Sequence, residues 1–208
     1  MSITAAITAI GRYLPEHRLT NQDLEQMVDT NDAWIQERTG IVERRIMKDG
    51  ATSDMAIGAA NEIIKKTGMN PEEIELVIVA TVTPDHVFPA TASIVATAIG
   101  ASSAWGFDLE AACSGFVYAL NVGSKFIETG THKKVLVIGS DKMSAIVDYT
   151  DRNTCVLFGD ACGAVLLEPT DNGEGVVDSR LYSDGSEQRT LCLPGRPSGL
   201  QICGNKNG

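Results

Sequence analysis

Histidine and basic charge are scarce in this chain, and no apolar run is long enough to span a bilayer. It has only three histidines, His17, His86 and His132. None stands in an HxxxH or HExxH spacing, so no metal site is expected. Lys and Arg number 17 against 27 Asp and Glu, giving a formal net charge of -10 and a pI near 4.7. That balance argues against general nucleic-acid binding, which needs a basic face. The five cysteines are Cys113, Cys155, Cys162, Cys192 and Cys203. An odd number with no CxxC predicts neither a disulfide framework nor a zinc knuckle, and fits a reducing compartment. There is no GxxxxGK[ST] phosphate loop and no GxGxxG. Met1 to Ile10 is apolar but lacks a basic n-region, so it reads as a first strand and not as a signal peptide. A soluble cytoplasmic protein without a membrane partner is expected.

What is present is ordinary globular material. The 208 residues suffice for one large domain or two small ones, with 43% hydrophobic and 21% charged content. Ile3 to Ile10 suits a strand, and Gly11 and Pro15 mark a turn. Thr20 or Asn21 can cap a short helix through Val28. Asn31 or Asp32 can cap another that carries Trp34 and Arg38 and ends at Gly40. Ser53 opens a clearer helix with an apolar face of Met55, Ala56, Ala59, Ala60, Ile63 and Ile64, stopped by Gly68. Asn70-Pro71 opens a single turn.

Ile74 to Thr83 is a β-branched run that suits a strand covered on both faces. Thr91 to Ile99 reads as a helix, Trp105 to Leu109 as a strand, and the stretch after Cys113 to about Glu128 as a helix stopped by Gly130. Lys134 to Gly139 and Ala161 to Leu167 are further strands, and Gly175 to Tyr182 is a candidate for one more. Strands separated by helices predict an α/β fold, a largely buried sheet covered by helices. From Ser183 the texture turns to Gly, Pro, Arg, Asn and Lys, and the end reads as loop or disorder.

Cys113 is the leading candidate nucleophile. A short strand ends before it and a helix is expected to begin at it. A helix N-terminus offers unpaired N–H groups and about half a positive charge, which favour a thiolate. Ala111, Ala112, Ser114 and Gly115 leave room for a carbonyl to approach. The plainer reading is a structural cysteine at a strand–helix junction.

A base is harder to name. His17 and His132 read as exposed surface residues, and His86, in Pro84-Asp85-His86-Val87-Phe88-Pro89, as a loop residue. Trp34 and Arg152 could both stack on a flat heteroaromatic ring. Taken singly, the first reads as a packing residue and the second as a surface ion-pair partner. Arg38, Arg44, Arg45 and Lys48 form a basic cluster at odds with the overall charge. It could meet an acidic partner, but a solvated loop is the commoner use of such charges.

Four runs together resemble the β-ketoacyl-acyl carrier protein synthase III family. They are Thr30-Asn31-Asp32-Ala33-Trp34-Ile35-Gln36-Glu37-Arg38-Thr39-Gly40-Ile41, Ala111-Ala112-Cys113-Ser114-Gly115-Phe116, Thr150-Asp151-Arg152-Asn153-Thr154, and Phe158-Gly159-Asp160-Ala161-Cys162-Gly163-Ala164. The resemblance runs from about Ile3 to Ser186. It implies a thiolase-like layered α/β fold, a mixed sheet covered by helices, with two similar halves and a homodimer.

On this resemblance residues 1–170 are the half that carries the nucleophile. Residues 171–208 are the start of a second half, or an atypical tail. The implied reaction primes fatty-acid synthesis. Cys113 takes an acyl group from acetyl-CoA or another short acyl-CoA, and malonyl-acyl carrier protein then condenses with it. No cofactor is implied, since acyl-CoA is a substrate.

Trp34 and Arg152 match the residues that clasp the adenine of CoA, and Arg38 and Thr39 match positions that help hold the nucleotide. Phe158 matches a position near the pantetheine tunnel. Phe88 matches a residue that reaches the partner subunit's acyl pocket. The family's catalytic His and Asn have no counterpart here, and Gly204-Asn205-Lys206 stands in the wrong context to replace the Asn motif. An incomplete polypeptide is therefore expected. The rival readings are a non-catalytic pairing module and a related condensing enzyme of secondary metabolism.

Overall fold

The computed structural model describes residues 3–186 and 191–193. Of the irregular tail expected from Ser183, residues 183–186 and 191–193 form no helix or strand, and the rest, with Cys203 and Gly204-Asn205-Lys206, lies outside the described residues. The elements, in order, are β1 (Thr4–Tyr13), β2 (His17–Thr20), α1 (Asn21–Glu25), α2 (Asp32–Thr39), β3 (Glu43–Ile46) and α3 (Thr52–Thr67). Then come β4 (Leu76–Ala80), α4 (Thr91–Ala98), β5 (Trp105–Leu109), α5 (Gly115–Glu128), β6 (Val135–Lys142) and β7 (Asp160–Thr170).

Five strands form one mixed sheet in the order β1-β7-β6-β4-β5. β4 is parallel to β5 and to β6, whereas β7 is antiparallel to both β6 and β1. The chain leaves β4 through α4 to reach β5, then leaves β5 through α5 and passes over β4 to reach β6. Right-handed crossovers in opposite directions put their helices on opposite faces. Accordingly, α3 and α4 pack on one face with Val77 and Val79, and α5 on the other with Leu76, Ile78 and Ala80. This alternation explains the uninterrupted apolar run in β4, all five residues of which are buried. Gly123 lets α5 lie close, since a Cβ there would stand 3.0 Å from Val137 Cγ2 and 3.1 Å from Leu167 Cδ1.

Local signals set the helix ends. Thr20 and Asp23 form a capping box on α1, and Asn31 Oδ1 accepts from the Trp34 N–H at the start of α2. Gly40 ends α2 in the left-handed region at φ 72°. The caps of α3 and α4 come partly from afar. Asp85 Oδ1 accepts from Ser53 N at 3.0 Å, and the Asp108 carboxylate accepts from Thr91 N at 2.6 Å and Ala92 N at 2.8 Å.

Four expectations need correction. No strand forms over Gly175 to Tyr182; Val176 N donates to Ala5 O at 2.8 Å beside β1, and the segment then runs on exposed. The α-helix begins not at Cys113 but at Gly115, after a 3₁₀ turn over Ala112–Ser114. The basic cluster is not a solvated loop: Arg44 and Arg45 lie in β3, which pairs antiparallel with β2, and Arg44 is only 4% exposed. His132 is partly buried, accepting from Trp105 Nε1 at 2.9 Å within a group that includes Phe126. No helix among the described residues is long and apolar enough to cross a membrane.

The distant cap on α4 is testable. Asp108→Ala strands two helix N–H groups and should lower stability by about 1–2 kcal/mol, read as an earlier urea midpoint with unchanged slope. An unchanged midpoint would mean that water replaces the carboxylate without cost.

Candidate active site

The carboxyl ends of β4, β5 and β6 share one edge of the sheet, with Ala80 in register with both Leu109 and Gly139. The helices that follow β4 and β5 go to opposite faces, so this edge is a topological switch point, where open α/β sheets form their binding crevices. Cys113 stands there, exposed, four residues beyond the end of β5. The residue before it, Ala112, has φ 45°, the only non-glycine positive φ among the described residues. A left-handed alanine costs roughly 1–2 kcal/mol. The turn is held by Ser114 N donating to Ala111 O and by Ala112 N donating to Glu110 Oε1, 3.1 and 3.0 Å. The thiol thus sits on a sharp strained corner one turn before α5, among helix-end amides with positive partial charge.

Beneath this edge lies a polar network that the sequence did not flag. Asp141 Oδ1 accepts from Val82 N at 2.8 Å and from the hydroxyls of Thr81 and Thr83, each at 3.0 Å. Thr83 Oγ1 accepts from Lys142 N at 2.9 Å, and Ser140 Oγ donates to Thr52 O at 3.0 Å. These bonds tie the ends of β4 and β6 to the start of α3. Asp160, buried, similarly takes Met47 N, Ser144 N and Ser144 Oγ at 2.7, 2.8 and 2.6 Å. Hydroxyl and carboxylate residues at consecutive strand ends are the only sequence trace of this network.

Trp34 and Arg152 meet. The Arg152 guanidinium carbon is 4.8 Å from the Trp34 ring centroid, and that of Arg38 is 5.2 Å away. α2 brings Arg38 one turn from Trp34, and the segment before β7 brings Arg152. Thr39 sits beside them with its hydroxyl engaged locally, donating to Ile35 O at 2.7 Å and accepting from Ile41 N at 3.0 Å. Phe158 is half-buried at the end of the Arg152 segment. Phe88 stands apart on the loop after β4, 84% exposed beside Val87 at 96%.

None of the three histidines hydrogen-bonds Cys113 among the described residues. Trp105, the first residue of β5, holds His132 at the opposite end of that strand from Cys113. His86 is exposed. His17 lines a cavity of about 410 Å³ with Met47, Lys142, Ser144 and Tyr149, and Cys113 is not part of it. A second apolar hollow of about 340 Å³ lies between Phe116, Gly139 and Gly163. No cluster that could hold a metal ion occurs among the described residues.

Cys155 and Cys162 are buried, whereas Cys192, like Cys113, is exposed. Burial raises the Cys155 pKa above the ordinary thiol value, and pushes that of Cys162 up to about 12.

The family model for 3-Oxoacyl-[acyl-carrier-protein (ACP)] synthase III matches residues 107–185. A beta-ketoacyl-[acyl-carrier-protein] synthase III of Chlorobium phaeovibrioides is 58% identical over 194 residues, covering 92% of this chain and 59% of that protein. The one from Solibacter usitatus is also 58% identical, over 91% of this chain and 59% of its own length. The chain therefore spans under two thirds of these relatives. Among solved structures, a 3-oxoacyl-[acyl-carrier-protein] synthase III from Aquifex aeolicus superposes with a TM-score of 0.85 at 47% identity, covering 88% of this chain and 59% of that one. The enzyme from Pseudomonas aeruginosa gives 0.87 at 39% identity, over 92% and 59%. The fold is thiolase-like.

The contrast among thiols sets an expectation for labelling. Iodoacetamide on the native protein should modify Cys113 while Cys155 and Cys162 stay free, because a buried neutral thiol is neither accessible nor nucleophilic. Peptide mass spectrometry reads the sites. Label on Cys162 before unfolding would contradict the assigned burial.

Proposed function

We propose that the chain is a member of the β-ketoacyl-acyl carrier protein synthase III family and carries the nucleophilic part of a priming condensing enzyme. The observation that carries the reading is the exposed Cys113 on the strained corner at the sheet's switch point. Its Sγ attacks the carbonyl carbon of acetyl-CoA or another short acyl-CoA. The tetrahedral adduct collapses, the C–S bond to CoA breaks, and the CoA sulfur leaves with the electron pair. The Cys113 N–H, which has no backbone acceptor among the described residues, is available to the developing oxyanion. Malonyl-acyl carrier protein then loses CO₂. The electron pair of the broken C–C bond attacks the acyl-Cys113 carbonyl, the 3-oxoacyl product leaves on the carrier, and the thiolate is regenerated.

Trp34, Arg38 and Arg152 are assigned to the nucleotide of CoA, with Thr39 as the local brace of that helix end and Phe158 lining the path to the thiol. In this structure the Arg152 guanidinium lies on the indole. An adenine would displace it and take the stack for itself. Phe88 and Val87 are assigned to a homodimer contact, where their exposed apolar surface would be covered. Residues 1–170 form the nucleophile-bearing half, and the chemistry is placed in the cytoplasm, where a reactive thiol stays reduced. The relatives carry synthase III names, so the rival readings, a pairing module and a secondary-metabolic enzyme, are not favoured.

Incubation with acetyl-CoA should leave an acyl adduct on Cys113, mapped by mass spectrometry, and Cys113→Ser should abolish it. An adduct on Cys155, Cys162 or Cys192 alone would sink the assignment. Condensation with malonyl-acyl carrier protein should be undetectable for the 208-residue chain by itself. The enolate left by decarboxylation needs preorganised donors, each worth roughly 10²–10³ in rate, and no histidine is hydrogen-bonded to the thiol.

Loss of the stack is a separate test. Trp34→Ala should weaken CoA binding about tenfold, in line with the worth of one base–aromatic contact. The rate of iodoacetamide reaction at Cys113 should not change. Unaltered affinity would remove Trp34 from the nucleotide site.

A further inference from the structure

Arg44 is the most anomalous charge in the molecule. It is 4% exposed, lies in β3 between Glu43 and Arg45, and forms no ion pair with a carboxylate among the described residues. Burial lowers its pKa from the ordinary arginine value, and the charges of Cys155 and Tyr149 act in the opposite direction. An uncompensated buried guanidinium is costly, and a hydrophobic residue of similar volume is often at least as stable. General stability is therefore a poor explanation for it.

Its hydrogen bonds suggest another. Nη1 donates to Asn21 Oδ1, while Nε donates to Val156 O at 3.1 Å and Nη2 donates to the same carbonyl. The amide of Asn21 donates to Asp32 Oδ1 at 2.7 Å and to Ile41 O at 2.8 Å. Asp32 is the first residue of α2, the helix that carries Trp34 and Arg38. Val156 lies between Arg152 and Phe158 in the segment that enters β7. One rigid fork thus joins the two pieces of chain that meet at the Trp34–Arg152 stack. The same pieces share an apolar cluster in which Ile35, Cys155 and Val156 are buried and Trp34 packs against them. Gly159 packs on the Arg44 side chain, where an added Cβ would stand 3.0 Å from Arg44 Cβ.

The geometry points to Arg44 as the positioning residue of the nucleotide clasp, setting the separation of Trp34 and Arg152 through Asn21–Asp32 on one side and the Val156 carbonyl on the other. This rests on the reading of that pair as a CoA site. The role requires the fork, because a lysine keeps the charge but presents a point donor that cannot reproduce both arms.

The test uses the whole chain in a Trp105→Phe background, which leaves Trp34 as its one tryptophan. Arg44→Lys and Arg44→Met are compared by CoA affinity, by acrylamide quenching of Trp34 and by iodoacetamide reaction at Cys113. All are measured on folded protein, well below the melting temperature. In both variants CoA affinity should fall about tenfold, the worth of one charge-assisted hydrogen bond, and Trp34 should be quenched more readily. Cys113 should react at its usual rate. Should Arg44→Met fail to fold, Arg44→Lys decides alone. Unchanged affinity and quenching in Arg44→Lys would overturn the proposal. So would a lowered melting temperature with unaltered quenching, since Arg44 would then be structural only. Failure of the parent protein to bind CoA would instead refute the nucleotide reading. The quenching arm would still decide whether Arg44 sets the stack.

Discussion

Burial of β4 on both faces is the constraint from which the rest of the architecture follows. Its five residues are all inaccessible, and the strand is hydrogen-bonded in parallel on both sides. A strand so enclosed must have helices on both faces, and α4 and α5 supply them in opposite directions. That divergence opens the carboxyl edge of the sheet between β4 and β5. It also leaves the backbone at the end of β4 without a strand partner. Asp141, Thr81 and Thr83 satisfy it, and an unpaired polar group at that depth would cost about 1–3 kcal/mol.

The candidate nucleophile depends on the same edge. β5 delivers the chain to the switch point, and the reversal into α5 must be completed within the Ala112–Ser114 turn. A left-handed alanine is the consequence, and it turns Cys113 outward. Cys155 and Cys162 show the alternative. Packed in the small cluster and in β7, they are held neutral by burial. Position relative to the sheet, and not the thiol itself, separates the exposed cysteine at the corner from the buried ones.

Trp34, the fixed side of the proposed clasp, lies on the smaller module built from β2, β3, α1 and α2. Its attachment to the main sheet runs through few polar contacts. Among them are Asp160, which holds Met47 and Ser144, and Arg44, which holds Val156. Both are buried charged groups that each reach a partner more than a hundred residues away in the chain, Asp160 to Met47 and Arg44 to Val156. Apolar packing alone would bring the pieces together. Directional bonds from a carboxylate and a guanidinium set their register.

Much of the fold is legible in the residue pattern. Asn31 before α2, Gly40 and Gly68 after α2 and α3, the apolar face of α3 and the β-branched run of β4 all act through neighbours one turn or one strand away, so the sequence by itself determined them. The candidate nucleophile is legible too, from small residues around a cysteine at a strand's end. Only the tertiary structure decided that Trp34 and Arg152 touch, that Arg44 is buried while its neighbours are not, that Asp108 caps a helix in which it takes no part, and that Gly175 to Tyr182 forms no strand. The α-helix likewise starts two residues later than its periodicity suggests, because a corner has to be turned first. Periodicity and capping report short-range energies, whereas a contact between distant residues depends on how the sheet closes, and the local pattern around Arg44 is that of any exposed charged strand.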